Sequence, residues 1–189
     1  MLNEALIFLL GVLLQPFAAV LLLRFHLQWL RAPMRNPLGG FIMSITDFLV
    51  LRVRRFIPAM WGLDIATLLL AFVVEAIYLA ALLWAQGYPL LDISLPGLLT
   101  WTAVKLLILS LYLLMAALVI QALLSWFNPY SHIANLLAAV TRPFLMPLRR
   151  RIPPVGNVDL TVLVLLIVCQ LILIVPLRWL ESMAQRLLQ

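Results

Sequence analysis

Arg54-Arg55-Phe56-Ile57-Pro58-Ala59-Met60-Trp61-Gly62-Leu63-Asp64 and Arg149-Arg150-Arg151-Ile152-Pro153-Pro154-Val155-Gly156-Asn157-Val158-Asp159 are two versions of one stretch, 95 positions apart. Each runs from an arginine pair through Ile-Pro to an aspartate that opens a long apolar run. Guanidinium groups belong in water or among lipid phosphates, and the apolar run belongs in hydrocarbon. Pro58 and Pro153 disfavour the helical basin for the residue before them, so Ile57 and Ile152 are expected to be extended. Asp64 and Asp159 are then placed to cap the following helix by accepting its free N–H groups, and they lie within reach of their own arginines. The stretch marks a place where a chain leaves water for a bilayer.

Working outward, the composition agrees. The chain is 66% hydrophobic and 11% charged, against roughly 45–50% and 25% in soluble domains, and its mean hydropathy is +1.14. This is the composition of a polytopic membrane protein. The net charge of +6 would suggest nucleic acid in a soluble domain. Here the arginines flank apolar runs, so anionic phospholipid is the expected partner and direct nucleic-acid binding is not. The first basic residue is Arg24, unlike the charged start of a signal peptide. Cys169 is the only cysteine, so one chain offers no disulfide, CxxC or zinc site.

Four segments are long enough to cross a core of about 30 Å at 1.5 Å per residue: Leu2–Trp29, Asp64–Ala85, Pro96–Trp126 and Val158–Leu180. The connections Leu30–Leu63 and Phe127–Asn157 are more than loops. Leu38, Phe41, Ile42, Ile45 and Leu49 recur at helical spacing after Asn36-Pro37, a cap with a first-turn proline. Leu136, Leu137, Val140 and Phe144 do the same in the second connection. Each reads as a one-faced helix of about four turns, lying in the interface or shallowly re-entrant; a small cytoplasmic helix packed on the bundle fits the same pattern. The two connections hold nine arginines, whereas Arg178 and Arg186 lie near the C-terminus and the link Gln86–Leu95 has no basic residue. The positive-inside rule puts both long connections in the cytoplasm and both termini outside.

The repetition extends past the motif. Thr46, Arg54, Arg55, Ile57, Pro58 and Asp64 each match a residue 95 positions on, while Trp29 matches Trp126 at 97. The chain divides into residues 1–90 and 91–189, each a span, a one-faced connection helix, the Arg-Arg motif and a span. Two spans per unit return the chain to its starting side, so the halves share orientation.

Two copies of Trp…Asn-Pro…Arg-Arg…Ile-Pro…Asp, each between apolar spans, resemble the YggT (YlmG) family of small bacterial membrane proteins in its duplicated form, from about Leu9 to Leu180. The first copy departs from the family pattern: Arg31-Ala32-Pro33-Met34 is inserted before Asn36-Pro37. Asp47-Phe48 and Leu51-Arg52 stand where the second copy has Arg142-Pro143 and Met146-Pro147. The first connection is therefore expected to be less tightly turned. The resemblance implies an inner-membrane location, ties to osmotic-stress tolerance and to assembly of membrane complexes, and no established reaction. That favours a scaffold working with a membrane-protein partner over an enzyme.

Among the polar residues within spans, Glu75, Lys105 and Gln170 are the candidates for chemistry. An ionised carboxylate there costs several kcal/mol unless paired or protonated. Glu75 and Lys105 lie at similar depths, so an ion pair between them is expected, either as a clasp between the halves or as part of a proton or cation relay. Gln170 matches Glu75 in the repeat and is expected to face the same axis. A small ion or osmotic-response transporter using these three, as a homo-oligomer, is the alternative function. Arg54, Arg55, Arg149, Arg150 and Arg151 read either as ordinary topology residues or as bidentate grips on lipid phosphate or a partner's acidic segment. His26 and His132 carry no motif. No nucleophile elbow, phosphate loop or HExxH occurs, so no catalytic, cofactor or metal residues are assigned.

Overall fold

The computed structural model describes residues 2–59, 62–89, 93–128, 131–152 and 159–188. Among them every regular element is a helix: α1 (Leu2–Trp29), α2 (Pro37–Arg54), α3 (Ile65–Ala85), α4 (Leu95–Phe127), α5 (His132–Arg149), α6 (Leu160–Ile172) and α7 (Arg178–Arg186). A wide π-type turn, Leu173–Leu177, joins α6 to α7 without a break. Four stretches are long and apolar enough to cross a membrane: Asn3–Trp29, Ile65–Ala85, Leu95–Phe127 and Leu160–Arg186. Large apolar side chains such as Leu13, Val73, Leu107, Ile120 and Leu171 are exposed along them, as hydrocarbon-facing positions should be.

The fourth span runs past the expected end at Leu180. Pro176 has no N–H to donate and crowds the carbonyl four residues back. The π turn absorbs the misfit and lets the helix continue as α7, which packs on α4. Gly97 makes that approach possible. A Cβ there would lie 2.4 Å from the Leu187 carbonyl oxygen, too close for any side chain. Gly97→Val should therefore lower stability by about 1–3 kcal/mol through overpacking, read as a lowered melting temperature in detergent. Gly40→Val, whose site is open, is the control expected to lose less.

The helix ends follow their local chemistry. Asn36 accepts from Gly39 N, Ser94 from Gly97 N and Ser131 from Ala134 N, each supplying the side-chain acceptor that a first turn lacks. At the end of α1, Ala32 N donates to the Leu27 carbonyl and Arg31 N to that of Gln28, a Schellman closure. Its left-handed position is taken by Arg31, at φ 51°, where glycine is usual. The end of α3 closes the same way with Gly87 at φ 95°.

Seven residues separate α1 from α2, against four between α4 and α5. α2 and α5 are both 18 residues long and begin 95 positions apart, because the turn at Arg31 absorbs the insertion before α2 starts. Asn128 is not the counterpart of the Asn36 cap; Ser131 is, 95 residues on. α2 buries Ile42, Thr46 and Val50, and α5 buries Leu136, Val140, Thr141 and Leu145. The two connection helices meet at the end of α1, where Leu27, Ala32, Ile42, Leu136 and Val140 form one cluster. A second cluster joins α1, α2, α3 and α4 through Leu21, Val50, Leu70 and Leu106. Phe41, Phe48 and Leu51 of α2 point outward and are exposed.

Candidate functional site

The arginine motif resolves into two unlike halves. Arg54 Nη2 donates to Asp64 Oδ2 at 2.5 Å and its Nε to Oδ1 at 3.3 Å. Arg149 Nη2 and Nε both donate to Asp159 Oδ2, at 2.7 and 2.9 Å. Each aspartate also caps its span, Asp64 accepting from Thr67 N and Asp159 from Thr161 N, and each accepts a hydroxyl hydrogen bond from the same threonine. Burial by itself would push both carboxyls up. The hydrogen bonds from arginine and threonine, with the arginine charge, outweigh it and hold both below the ordinary value of 3.8. Arg54 and Arg149, expected among the lipid- or partner-binding residues, each pair with the aspartate of their own half. Arg55, Arg150 and Arg151 are exposed, and their side chains have no hydrogen-bond or ion-pair partner among the described residues. Pro58 is exposed beyond the last turn of α2; Pro153 lies outside the described residues.

A second network was not legible as such. Arg24, 2% exposed within the first span, donates from Nη1 to Thr46 Oγ1 at 2.5 Å and to Asp47 Oδ1 at 2.7 Å. Its Nε is buried without a hydrogen-bond partner among the described residues. In the second half, Thr141, 95 residues after Thr46, donates to Gln121, which stands 97 residues after Arg24. The same inter-helix polar contact recurs with a charge in one half and an amide in the other. The signal was the Thr46–Thr141 match; the missing step was the second spacing, 97, that relates Arg24 to Gln121.

The intramembrane residues are arranged differently from expectation. Lys105 Nζ pairs with Glu181 Oε1 at 2.6 Å, not with Glu75, because α7 brings Glu181 alongside α4. Trp101 Nε1 donates to the same Glu181 oxygen at 3.4 Å. Gln170 is exposed on α6 and does not line the cavity beside Glu75, so the three polar residues are not assembled. That cavity, of about 800 Å³, lies between α1, α3 and α4, with Gln15, Glu75, Tyr78, Lys105 and Tyr112 among its walls. A second cavity, of about 600 Å³, is walled almost wholly by apolar side chains of α1, α2, α4, α5 and the fourth span. His26 borders it, with Nδ1 2.7 Å from the Leu22 carbonyl oxygen, which leaves that nitrogen occupied. Among the described residues no group of three His, Cys, Asp or Glu could hold a metal.

The family described as CCB3/YggT matches this chain over residues 3–85 and 100–180. The chain belongs to the CCB3/YggT family. An uncharacterized protein of Pseudomonas aeruginosa is 35% identical over 162 residues, covering 85% of this chain and 82% of its own. Uncharacterized protein YggT of Escherichia coli is 30% identical over 172 residues, covering 89% and 87%. An uncharacterized protein of Vibrio alginolyticus is 34% identical over 168 residues, covering 85% and 86%. No solved structure matches the chain. The two matched segments of this YggT-family chain each contain one arginine–aspartate clasp and one threonine contact between a span and its connection helix.

Proposed function

We propose that this chain is an inner-membrane scaffold, an assembly and stress-tolerance factor, that acts through an arginine-rich face turned to the cytoplasm. The observation that carries the reading is the division of labour within each motif. One arginine is fixed on its aspartate, and the next stands exposed as Arg55 or as Arg150 with Arg151. Arg31, Arg35, Arg52 and Arg142 are exposed in the same two connections. Phe41, Phe48, Leu51 and Phe56 are exposed beside them; apolar side chains interleaved with guanidinium groups suit the headgroup boundary of a bilayer. Anionic phospholipid and an acidic segment of a membrane-protein partner are the ligands this face fits. No reaction is assigned to it.

Arg55, Arg150 and Arg151 substituted together by glutamine should weaken retention of phosphatidylglycerol roughly hundredfold, at about 1 kcal/mol per arginine near the surface. Native mass spectrometry of the purified protein reads this, and a photocrosslinker at position 146 reads loss of the partner. Lysine in the same three places keeps topology but not two-point contact with phosphate or carboxylate, so it should restore insertion and not full binding. Full binding by the lysine protein would remove the reading. The alternative, an ion or osmotic-response transporter through Glu75 and Lys105, has the cavity beside Glu75 in its favour. A cation leak across reconstituted vesicles, abolished by Glu75→Gln, would favour it over the scaffold.

A further inference from the structure

The cavity between α1, α3 and α4 faces away from the use just proposed for the arginines. Glu75 is 5% exposed, lines this cavity, and has no hydrogen-bond or ion-pair partner among the described residues. Lys105 lines it too and its charge acts on Glu75, but its ammonium is in ion-pair contact with Glu181 at 2.6 Å. Glu75 therefore has no cationic group of the described residues within ion-pair distance.

We propose that this cavity binds a small amphiphile carrying one fixed positive charge, its cationic head against Glu75 and its apolar tail passing out between the helices into lipid. The size decides against a bare ion. About 800 Å³ falls in the range of sites for drug-sized molecules and would leave a single metal cation in a mostly empty space. The walls carry Phe8, Tyr78 and Tyr112, and aromatic faces around a carboxylate are what quaternary ammonium groups use. Pro16 adds an acceptor: lacking an N–H, it leaves the Val12 carbonyl without its ordinary helical donor, and both residues line the cavity. The tail has an exit, since Phe8, Val12 and Tyr112 are more than half exposed on the outer surface.

The test is equilibrium binding of dodecyltrimethylammonium to the full chain in phosphatidylcholine nanodiscs. Saturable binding of one probe per chain is expected, unaffected by dodecyl maltoside and by Arg150→Gln. Glu75→Gln should weaken it at least tenfold. Gly11→Leu provides a second variant that leaves the carboxyl intact. A Cβ at position 11 meets only ordinary contacts, with the Tyr78 hydroxyl 3.8 Å away, and a longer side chain grows into the space the probe would take. It should abolish binding without lowering the melting temperature, as glycine is a poor residue within a helix. Unchanged binding in the folded Gly11→Leu protein, absence of saturable binding in the wild type, or displacement of the probe by millimolar sodium or potassium would each overturn the proposal. Arg55, Arg150 and Arg151 do not line this cavity, so failure here and failure of the scaffold reading are separate results.

Discussion

Asp64→Ala should destabilise the protein by about 3 kcal/mol or more, whereas Asp159→Ala should cost about 1–2 kcal/mol. The two aspartates make the same contacts in sequence terms, but their surroundings differ. The Asp64 side chain is 4% exposed and Arg54 33%; the corresponding figures for Asp159 and Arg149 are 37% and 50%. Removing Asp64 strips a cap from α3 and leaves Arg54 half-buried with only Gln28 to receive its hydrogen bonds. Removing Asp159 returns Arg149 to solvent, where an exposed pair is worth little. Denaturant titration in micelles should show the difference, and equal losses would contradict this account. The pH dependence has a definite sign. Both carboxyls are held below 3.8 in the folded protein, so their contribution is complete above that value and is lost as pH falls through the lower folded value. The part of the stability that the two clasps supply should be lost only below about pH 3.8, and Asp64→Asn should flatten that acid limb.

Asp47→Ala should be more damaging than Arg24→Met. Arg24 is 2% exposed, and without Asp47 its charge keeps only the Thr46 hydroxyl, so breaking the pair from the acidic side should cost about 3–5 kcal/mol. Asp47 has a side chain 40% exposed and can be solvated when Arg24 is gone. The double substitution Arg24→Met with Asp47→Leu should recover most of the loss, to within about 1 kcal/mol of wild type, since an apolar replacement of similar volume removes both desolvation costs. Unfolding of the wild type, Arg24→Met, Asp47→Leu and the double substitution in the same detergent forms a double-mutant cycle. Additive losses would show that the two side chains do not act as a pair. Arg24→Gln asks the same question differently, because Gln121 with Thr141 already performs this contact with an amide.

Much of the architecture could be read from residue order because the controlling forces are local. Apolar length decides which stretches can cross a membrane. Asn36, Asp64, Ser94, Ser131 and Asp159 decide where helices start, each through an acceptor within two or three residues of the amide it satisfies. The clasps were within reach for the same reason: Arg54 and Asp64, like Arg149 and Asp159, are ten residues apart.

The intramembrane polar residues were another matter. Glu75 and Lys105 have similar depths, and depth follows from counting residues, but azimuth and competition do not. Lys105 went to Glu181, 76 positions away, because a π turn at Pro176 carried the fourth span past its expected end and Gly97 let α7 come close. Gln170 sits at the repeat position of Glu75 yet faces outward, since equivalence in sequence fixes a place along the helix and not what packs against it. The sequence by itself determined the spans, the caps at Asn36, Asp64 and Asp159, the repeated motif and the family. Which charges are paired, which guanidinium groups stay free and where a cavity opens beside Glu75 were decided only by tertiary packing, because those outcomes depend on side chains from distant helices competing for the same partners.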